Sequence, residues 1–159
     1  MQITHYIYSV AEVAASTLVK GETQSFRNIP GRDSICLYLK TGALKIIETP
    51  ADNINTVWSA SKELGYRLSN TPGIVRVEAI EDTTLICIAK KDNVDRQVSF
   101  DIIGSTHHTI PAGQGFIVVD GVVSFHDADR DIIADYLSYV KPRDYDLLVT
   151  GPAEIILIK

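Results

Sequence analysis

Two groups of side chains in this chain have the types that do chemistry. The first is basic. Arg67 and Arg76 flank a tight turn in "GYRLSNTPGIVRVEA", Gly65 to Ala79. A guanidinium grips a carboxylate through two parallel hydrogen bonds, so these arginines are candidates for holding an anionic ligand. The plainer role, Arg76 paired with Glu78 on the same strand face, competes with that one and is favoured. The second group is the four histidines, His5, His107, His108 and His126. A mononuclear metal site needs three or four neutral imidazoles or carboxylates within about 2.0–2.3 Å of one point. These histidines are scattered over the N-terminal strand, a loop and one hairpin strand, so the expectation is neither a metal nor another cofactor. A surface ion at His126-Asp127, with Asp129 beyond, or at His107/His108 is left open.

The elements that position these residues read as β throughout. Nearly every apolar run is short, rich in Val, Ile, Leu, Tyr and Thr, and ends at Gly, Pro, Asn or Asp. Strands are expected at Ile3 to Val10, Ser16 to Lys20, Ser34 to Lys40, Ala43 to Glu48, Tyr66 to Leu68, Val75 to Ala79 and Thr84 to Lys90. They continue at Val98 to Ile103, Gly115 to Val119, Val122 to His126, Leu147 to Val149 and Glu154 to Lys159. Turn signals every 8–12 residues or so are what a sandwich or barrel produces. Two stretches depart from this pattern. Asn55 to Leu64 follows a loop-like "ADNIN". In Asp129 to Val140, the residues Ile132, Ile133, Tyr136, Leu137 and Val140 form a helical stripe behind a candidate N-cap at Asp129. One or two short helices are the most this chain is expected to hold.

Composition narrows the class. With 159 residues, 45% hydrophobic and 22% charged, the chain is ordinary for a folded protein. A formal net charge of −5 without a Lys/Arg run gives no footprint for a phosphate backbone, so no nucleic-acid partner is expected. No segment approaches the ~20 apolar residues that cross a bilayer, and "MQITHYIYSV" does not read as a signal peptide. A cytoplasmic or virion-associated protein, with no membrane partner, is expected. Cys36 and Cys87 sit inside apolar runs, which predicts buried free thiols rather than a disulfide or zinc pair. Nucleotide-binding glycine loops, a nucleophile elbow and a cysteine with a neighbouring histidine are absent.

An internal repeat organises the chain. "IPGRDSICLYLKTGALKIIETPAD" from Ile29 aligns with "IPAGQGFIVVDGVVSFHDAD" from Ile110, matching Gly42 to Gly121. "VEAIEDTTLICIAK" ending at Lys90 aligns with "LLVTGPAEIILIK" ending at Lys159. Such recurrence marks a repeated structural unit. The polar "KKDNVDRQ" is the natural border, giving units at 1–92, with the N-terminal strand, and 93–159.

"LYLKTGALKII" resembles the central hairpin of cupins, and "GYRLSNTPGIVRVEAIEDTTLICI" resembles the second cupin motif with its closing strand. The chain thus resembles a compact bicupin of the RmlC-like jelly-roll type, which implies an all-β fold of two tandem small jelly-roll or β-sandwich units. The second motif reads Gly, five residues, Pro-x-Gly, two residues, His, three residues, Asn; Arg76 stands at the histidine and Ile80 at the asparagine. The first reads Gly, five residues, His-x-His, three or four residues, Glu, six residues, Gly. Counted from Gly21, its histidines fall on Arg27 and Ile29 and, back from Gly42, its glutamate on Ile35. In the second copy, Gly104 leads to Ile110 and Ala112, and Gly121 leads back to Gln114. The metal ligands are therefore missing, with Gln114 left as a ligand-binding candidate beside Arg67 and Arg76. Some cupin-like epimerases use a His base, a neighbouring Asp and a Tyr acid. By that resemblance His107 or His126, with Asp101 or Asp127 and Tyr136 or Tyr139, are the catalytic candidates.

With the catalytic pattern so thin, the expected function is non-enzymatic. The chain would be a metal-free, oligomerising structural or assembly component, such as a virion accessory or decoration protein, partnered by its own copies or another structural protein. The alternative is a cupin that binds a small molecule or carbohydrate, including a metal-independent sugar isomerase or epimerase. Apolar side chains filling the barrels would favour the first; an open chamber with converging polar groups would favour the second.

Overall fold

The computed structural model describes residues 1–8, 11–28, 35–50, 56–61, 67–69, 73–90, 98–103 and 107–158. Side chains are described for these except at 27, 28, 35, 49, 50, 56–61, 67–69, 73, 90 and 98–103. Two compact units, Met1–Asp95 and Arg96–Lys159, make up the chain. The expected border at 92/93 lies outside the described residues.

In the first unit the strands are β1 (Gln2–Ile7), β2 (Ala11–Leu18), β3 (Thr23–Asn28), β4 (Ile35–Thr41), β5 (Ala43–Pro50), β6 (Thr56–Ser61), β7 (Arg67–Ser69), β8 (Gly73–Ala79) and β9 (Thr83–Lys90). They form two antiparallel sheets, in the orders β1-β2-β9-β4-β7 and β3-β8-β5-β6. The second unit holds β10 (Val98–Ile103), β11 (His107–Ile110), β12 (Gly115–Gly121), β13 (Val123–Asp127), β14 (Arg130–Ala134), β15 (Tyr139–Val140), β16 (Leu147–Thr150) and β17 (Ala153–Ile158). Its sheets run β10-β17-β12-β15 and β11-β16-β13-β14.

One topology is built twice. β10, β17, β12 and β15 occupy the places of β2, β9, β4 and β7, while β11, β16, β13 and β14 occupy those of β3, β8, β5 and β6. Among the described strands only β1, added at a sheet edge, has no counterpart. The correspondence extends to single residues. The β4–β9 ladder shifts register between Leu39 and Thr41, and the β12–β17 ladder between Val118 and Asp120. Each bulge is followed by a glycine of positive φ, Gly42 at 93° and Gly121 at 77°. Both glycines press against the turn before the closing strand. A Cβ on Gly42 would lie 2.6 Å from the Asp82 carbonyl, and one on Gly121 2.5 Å from that of Pro152. Only glycine satisfies both the backbone conformation and the contact.

The sequence of each sheet matches its burial. Cys36 to Leu39, Leu85 to Ile88, Phe116 to Val119 and Ile155 to Ile158 are uninterrupted apolar runs, and all of these residues are buried. Such runs belong to strands covered on both faces. In the other sheet β8 and β13 alternate, while β5 buries Ile46, Ile47 and Glu48 in succession. In β8, Val75, Val77 and Ala79 are buried while Ile74 and Arg76 are exposed. In β13, Val123 and Phe125 are buried while Ser124 and His126 are exposed. This is the period-2 signature of a sheet with one solvated face.

Cys36 and Cys87 are buried and unpaired. Loss of hydration pushes the Cys36 thiol up to about 12 and raises Cys87 as well. Both behave as small core residues.

The helix expected over Asp129 to Val140 is not formed. β13 turns through Ala128 and Asp129 directly into β14, a hairpin with Asp127 paired to Arg130 and Ala128 at φ 54°. A helical stripe would bury Ile133 and Tyr136 with the rest, yet Ile133 is 72% exposed and Tyr136 41%. Strand alternation instead buries Ala134 and packs Ile132 on the core. Leu137, at φ 64°, anchors the following turn: its N–H donates to the Val118 carbonyl at 2.7 Å. Asn55 to Leu64 also holds a strand, β6, over its described part, and two further strands, β3 and β11, arise where none was expected. The described residues contain no helix, and hence none long and apolar enough to cross a membrane.

Candidate functional site

A jelly roll offers two places for chemistry, the space between its sheets and the solvated faces. Between the sheets of the first unit pack Leu18, Leu37, Leu39, Leu44, Ile46, Val75, Val77, Ala79, Leu85 and Cys87, with Ala14 and Phe26 against them. In the second unit the same space holds Ile110, Phe116, Val118, Val123, Phe125, Val140, Leu147, Val149, Ile155 and Leu157, among others. These side chains interdigitate as a core.

The strand registers identify which residues point into that space. Gln24 pairs with Val77, and Val77 with Ile46; His108 pairs with Val149, and Val149 with Phe125. Gln24 and Phe26 on β3 therefore correspond to His108 and Ile110 on β11. Ala112 is exposed in the turn after β11, and the side chain of Arg27 lies outside the described residues. Counting back from Gly121 through Gln114 with three intervening residues gives His108-x-Ile110, the frame that the count from Gly104 missed. On the opposite strand the inward residues are Val75 and Val77, so Arg76 faces solvent. Ile29 lies outside the described residues, as does the side chain of Ile35.

These positions do not fit a resident metal. In the second unit they supply one imidazole, His108, one amide, Gln114, and apolar Ile110, Leu147 and Val149. In the first they supply Gln24, Phe26, Val75 and Val77. A mononuclear ion requires three or four imidazole or carboxylate ligands. Among the described residues no three of His, Cys, Asp and Glu converge to hold one. The buried Oε1 atoms of Gln24 and Gln114 have no hydrogen-bond partner.

A polar cluster lies beside Phe125 of the second unit's core. Asp127 lies two residues beyond inward-facing Phe125. Arg143 Nη2 donates to Asp127 Oδ2 at 2.7 Å, and the Tyr145 hydroxyl donates to Oδ1. The Arg143 guanidinium also lies over the Phe125 ring, 5.8 Å from its centroid. Gly113 N–H donates to the Arg143 carbonyl at 2.8 Å and Ala112 N–H to Asp146 Oδ1 at 2.9 Å, tying this loop to the one before β12. The Arg143 hydrogen bond, then that from Tyr145, holds the Asp127 carboxyl below the usual carboxylate range. A depressed folded-state value means that its stabilisation is present above about pH 4 and is lost as pH falls through the folded value. Asp127→Asn is accordingly expected to be less stable than the native chain at neutral pH. The gap between their urea midpoints should close at acid pH; a constant gap would rule out the carboxylate as its source.

The second place is the solvated face of β11-β16-β13-β14. A groove of about 500 Å³ there is lined by His107, Ser124, His126, Asp131, Ile133, Leu148 and Thr150, with Phe125 and Ile132 at its floor. His126 Nδ1 donates to Asp131 Oδ1 at 2.8 Å, and His107 Nδ1 is hydrogen-bonded to Thr150 Oγ1 at 3.0 Å. The fold thus brings His107 and His126 to one groove. Asp131 and Thr150, which orient them, were not singled out in the sequence, although a hairpin placing His126 opposite Asp131 would have revealed the first pairing. Tyr136 does not line the groove. Asp127 is committed to Arg143 and Tyr145. Asp101 is on β10 and Arg67 on β7, with side chains outside the described residues; Tyr139 is half-buried on β15, and His5 is exposed on β1.

No protein-family model and no curated protein sequence matches the chain. Solved structures do. A cupin 2 conserved barrel domain protein from Leptotrichia buccalis is 14% identical, with 99% of this chain and 88% of that one covered and a TM-score of 0.56. The formate complex of oxalate decarboxylase from Lactobacillus farciminis is 7% identical, covering 98% and 77%, with a TM-score of 0.63. AerE from Microcystis aeruginosa is 11% identical, covering 98% and 89%, with a TM-score of 0.55. At such identities the likeness is one of fold. The chain has the cupin fold, in two jelly-roll units.

Proposed function

We propose that this cupin-fold chain is a non-enzymatic, metal-independent protein that acts by self-association, as a structural or assembly component. The observation that carries this reading is the packing between the sheets. Both units fill with Leu, Ile, Val and Phe the space where a cupin enzyme would need a chamber. The donor set around His108 and Gln114 falls short of a metal site.

β1 supplies the surface. It pairs with β2 over its whole length, Gln2 with Thr17 to Ile7 with Glu12, and it forms the outer edge of its sheet. Five of its six residues are exposed, Ile3 and Ile7 among them. The sequence "QITHYI" has no Lys, Pro or acid, the devices that usually blunt an edge. Two copies meeting edge to edge would therefore pair backbone groups without facing like charges. Light scattering after size exclusion is expected to show a mass above the 17.5 kDa of one chain, rising with concentration. Ile3→Lys with Ile7→Lys should weaken that association at least ~10-fold. A native chain that stays monomeric at every concentration would overturn the reading.

The alternative, a protein that binds a small molecule or carbohydrate, draws on the histidine groove of the second unit. Its isomerase form lacks a tyrosine acid, since among the described residues no tyrosine lines that groove.

A further inference from the structure

We infer that the groove on the outer face of β11-β16-β13-β14 is a binding site for a small polyhydroxylated ring, a monosaccharide unit. Its hydroxyls would be held by His107, Ser124, His126 and Thr150, and its hydrocarbon face by Ile133 and Leu148. This rests on the small-molecule alternative and is independent of self-association.

The first support is an internal control. The same sheet is built in the first unit, and the registers give the equivalent outward positions. Thr23 stands for His107, Lys45 for Ser124, Ile47 for His126, Arg76 for Leu148 and Glu78 for Thr150. The sheet therefore forms without imidazoles, a serine or a leucine at these sites. Fold stability does not require the second unit's set, which is particular to one copy.

The second support is orientation. Asp131 accepts from His126 Nδ1, which places the proton there and leaves Nε2 as an acceptor for a ligand hydroxyl in the neutral ring. His107 Nδ1 is taken up by the Thr150 hydroxyl, which can donate or accept, so Nε2 is the ring nitrogen left to face a ligand hydroxyl, as acceptor or donor according to the tautomer. Ser124 pairs with Thr150 across β13 and β16, placing its hydroxyl in the row of His107. His126 and Asp131 form the neighbouring row.

The third is chemistry. Ile133 is 72% exposed and Leu148 53%, on the strands either side of β13, beside four polar groups. Binding sites of about 300–1,000 Å³ combine apolar walls with a few oriented polar groups in this way. A ring with hydroxyls on its edge and C–H groups on its face matches both. A d-block cation does not, because among the described residues no three His, Cys, Asp or Glu side chains are placed to hold one, and the Asp131 carboxylate is taken up by His126.

The test is a titration of the isotope-labelled full chain with methyl hexopyranosides, followed by amide and imidazole resonances. Shifts should be confined to β11, β13, β14 and β16, with a dissociation constant of ~1 mM for the best-fitting glycoside. His126→Ala and Ser124→Ala, both at exposed positions, should each weaken binding at least tenfold while the rest of the spectrum is unchanged. His126→Gln, which keeps an acceptor, should restore part of it. Saturation with no groove shifts, shifts elsewhere on the chain, or a response of the two imidazoles to zinc ion alone would each overturn the inference. None of these outcomes alters the solution mass, so failure here is distinct from failure of self-association.

Discussion

Phe116→Ala is expected to cost about 3–5 kcal/mol of unfolding free energy, the range for deleting a fully packed aromatic ring. Phe116 is wholly buried, and its neighbours in the second unit's core include Ile110, Val118, Leu147, Ile155 and Leu157. The loss combines the transfer of the ring's apolar surface with the void left behind, because strands locked in ladders cannot collapse onto it. Denaturant titration should show a lower midpoint with little change in slope. Ile133→Ala, on the exposed side of the same unit, should stay within about 0.5 kcal/mol of the native chain. The contrast bears on function. A cost below about 1 kcal/mol at Phe116 would mean a slack interior with room for a ligand, and the reading of a filled, structural jelly roll would fall with it.

Gly121→Ala and Gly42→Ala are expected to cost about 2 kcal/mol or more each, from two sources that add. Positive φ strains any residue with a Cβ, and the new atom would press on backbone that cannot swing aside. At Gly121 it meets the Pro152 carbonyl at 2.5 Å and the Ala153 Cα at 3.0 Å; at Gly42 it meets the Asp82 carbonyl at 2.6 Å and the Thr83 Cα at 2.7 Å. Thr83 Oγ1, which accepts from Ala43 N–H at 3.2 Å, also stands in the way. Gly113 separates the two sources. Its φ of 83° is similar, but nothing lies within 4 Å of its added Cβ. Gly113→Ala should therefore cost only about 1 kcal/mol, the conformational part. Equal costs at Gly113 and Gly121 in thermal or chemical unfolding would show that the closing-strand contact contributes nothing.

The β class, the Gly42/Gly121 correspondence and the buried thiols were legible because each follows from local patterning. Period-2 alternation marks half-buried strands, unbroken apolar runs mark fully buried ones, and glycine after a strand marks a turn that tolerates positive φ. The region from Asp129 to Val140 was misread for a reason of the same kind. Its apolar residues satisfy a helical spacing, but the hairpin from Asp127 to Arg130 and the buried Leu137 turn give more complete packing than a helix that would have to bury Ile133 and Tyr136. Propensity yields to tertiary contacts in such short segments. β3 and β11, with their polar "TQSFRN" and "HHTI", carry too little alternation to announce themselves, and they became strands because β8 and β16 offered them an edge.

What the chain determined by itself is thus the alternation of faces, the turns and the repetition of one strand plan. Only the folded arrangement decided which residues meet. A one-residue change of register sends a side chain to the other face of a sheet. For that reason motif counting placed Arg76 at a ligand position although it faces water, and passed over His108, which points inward. His107 and His126, nineteen places apart in the sequence, share a groove because β16 joins their two strands, and no spacing rule within a single strand contains that fact.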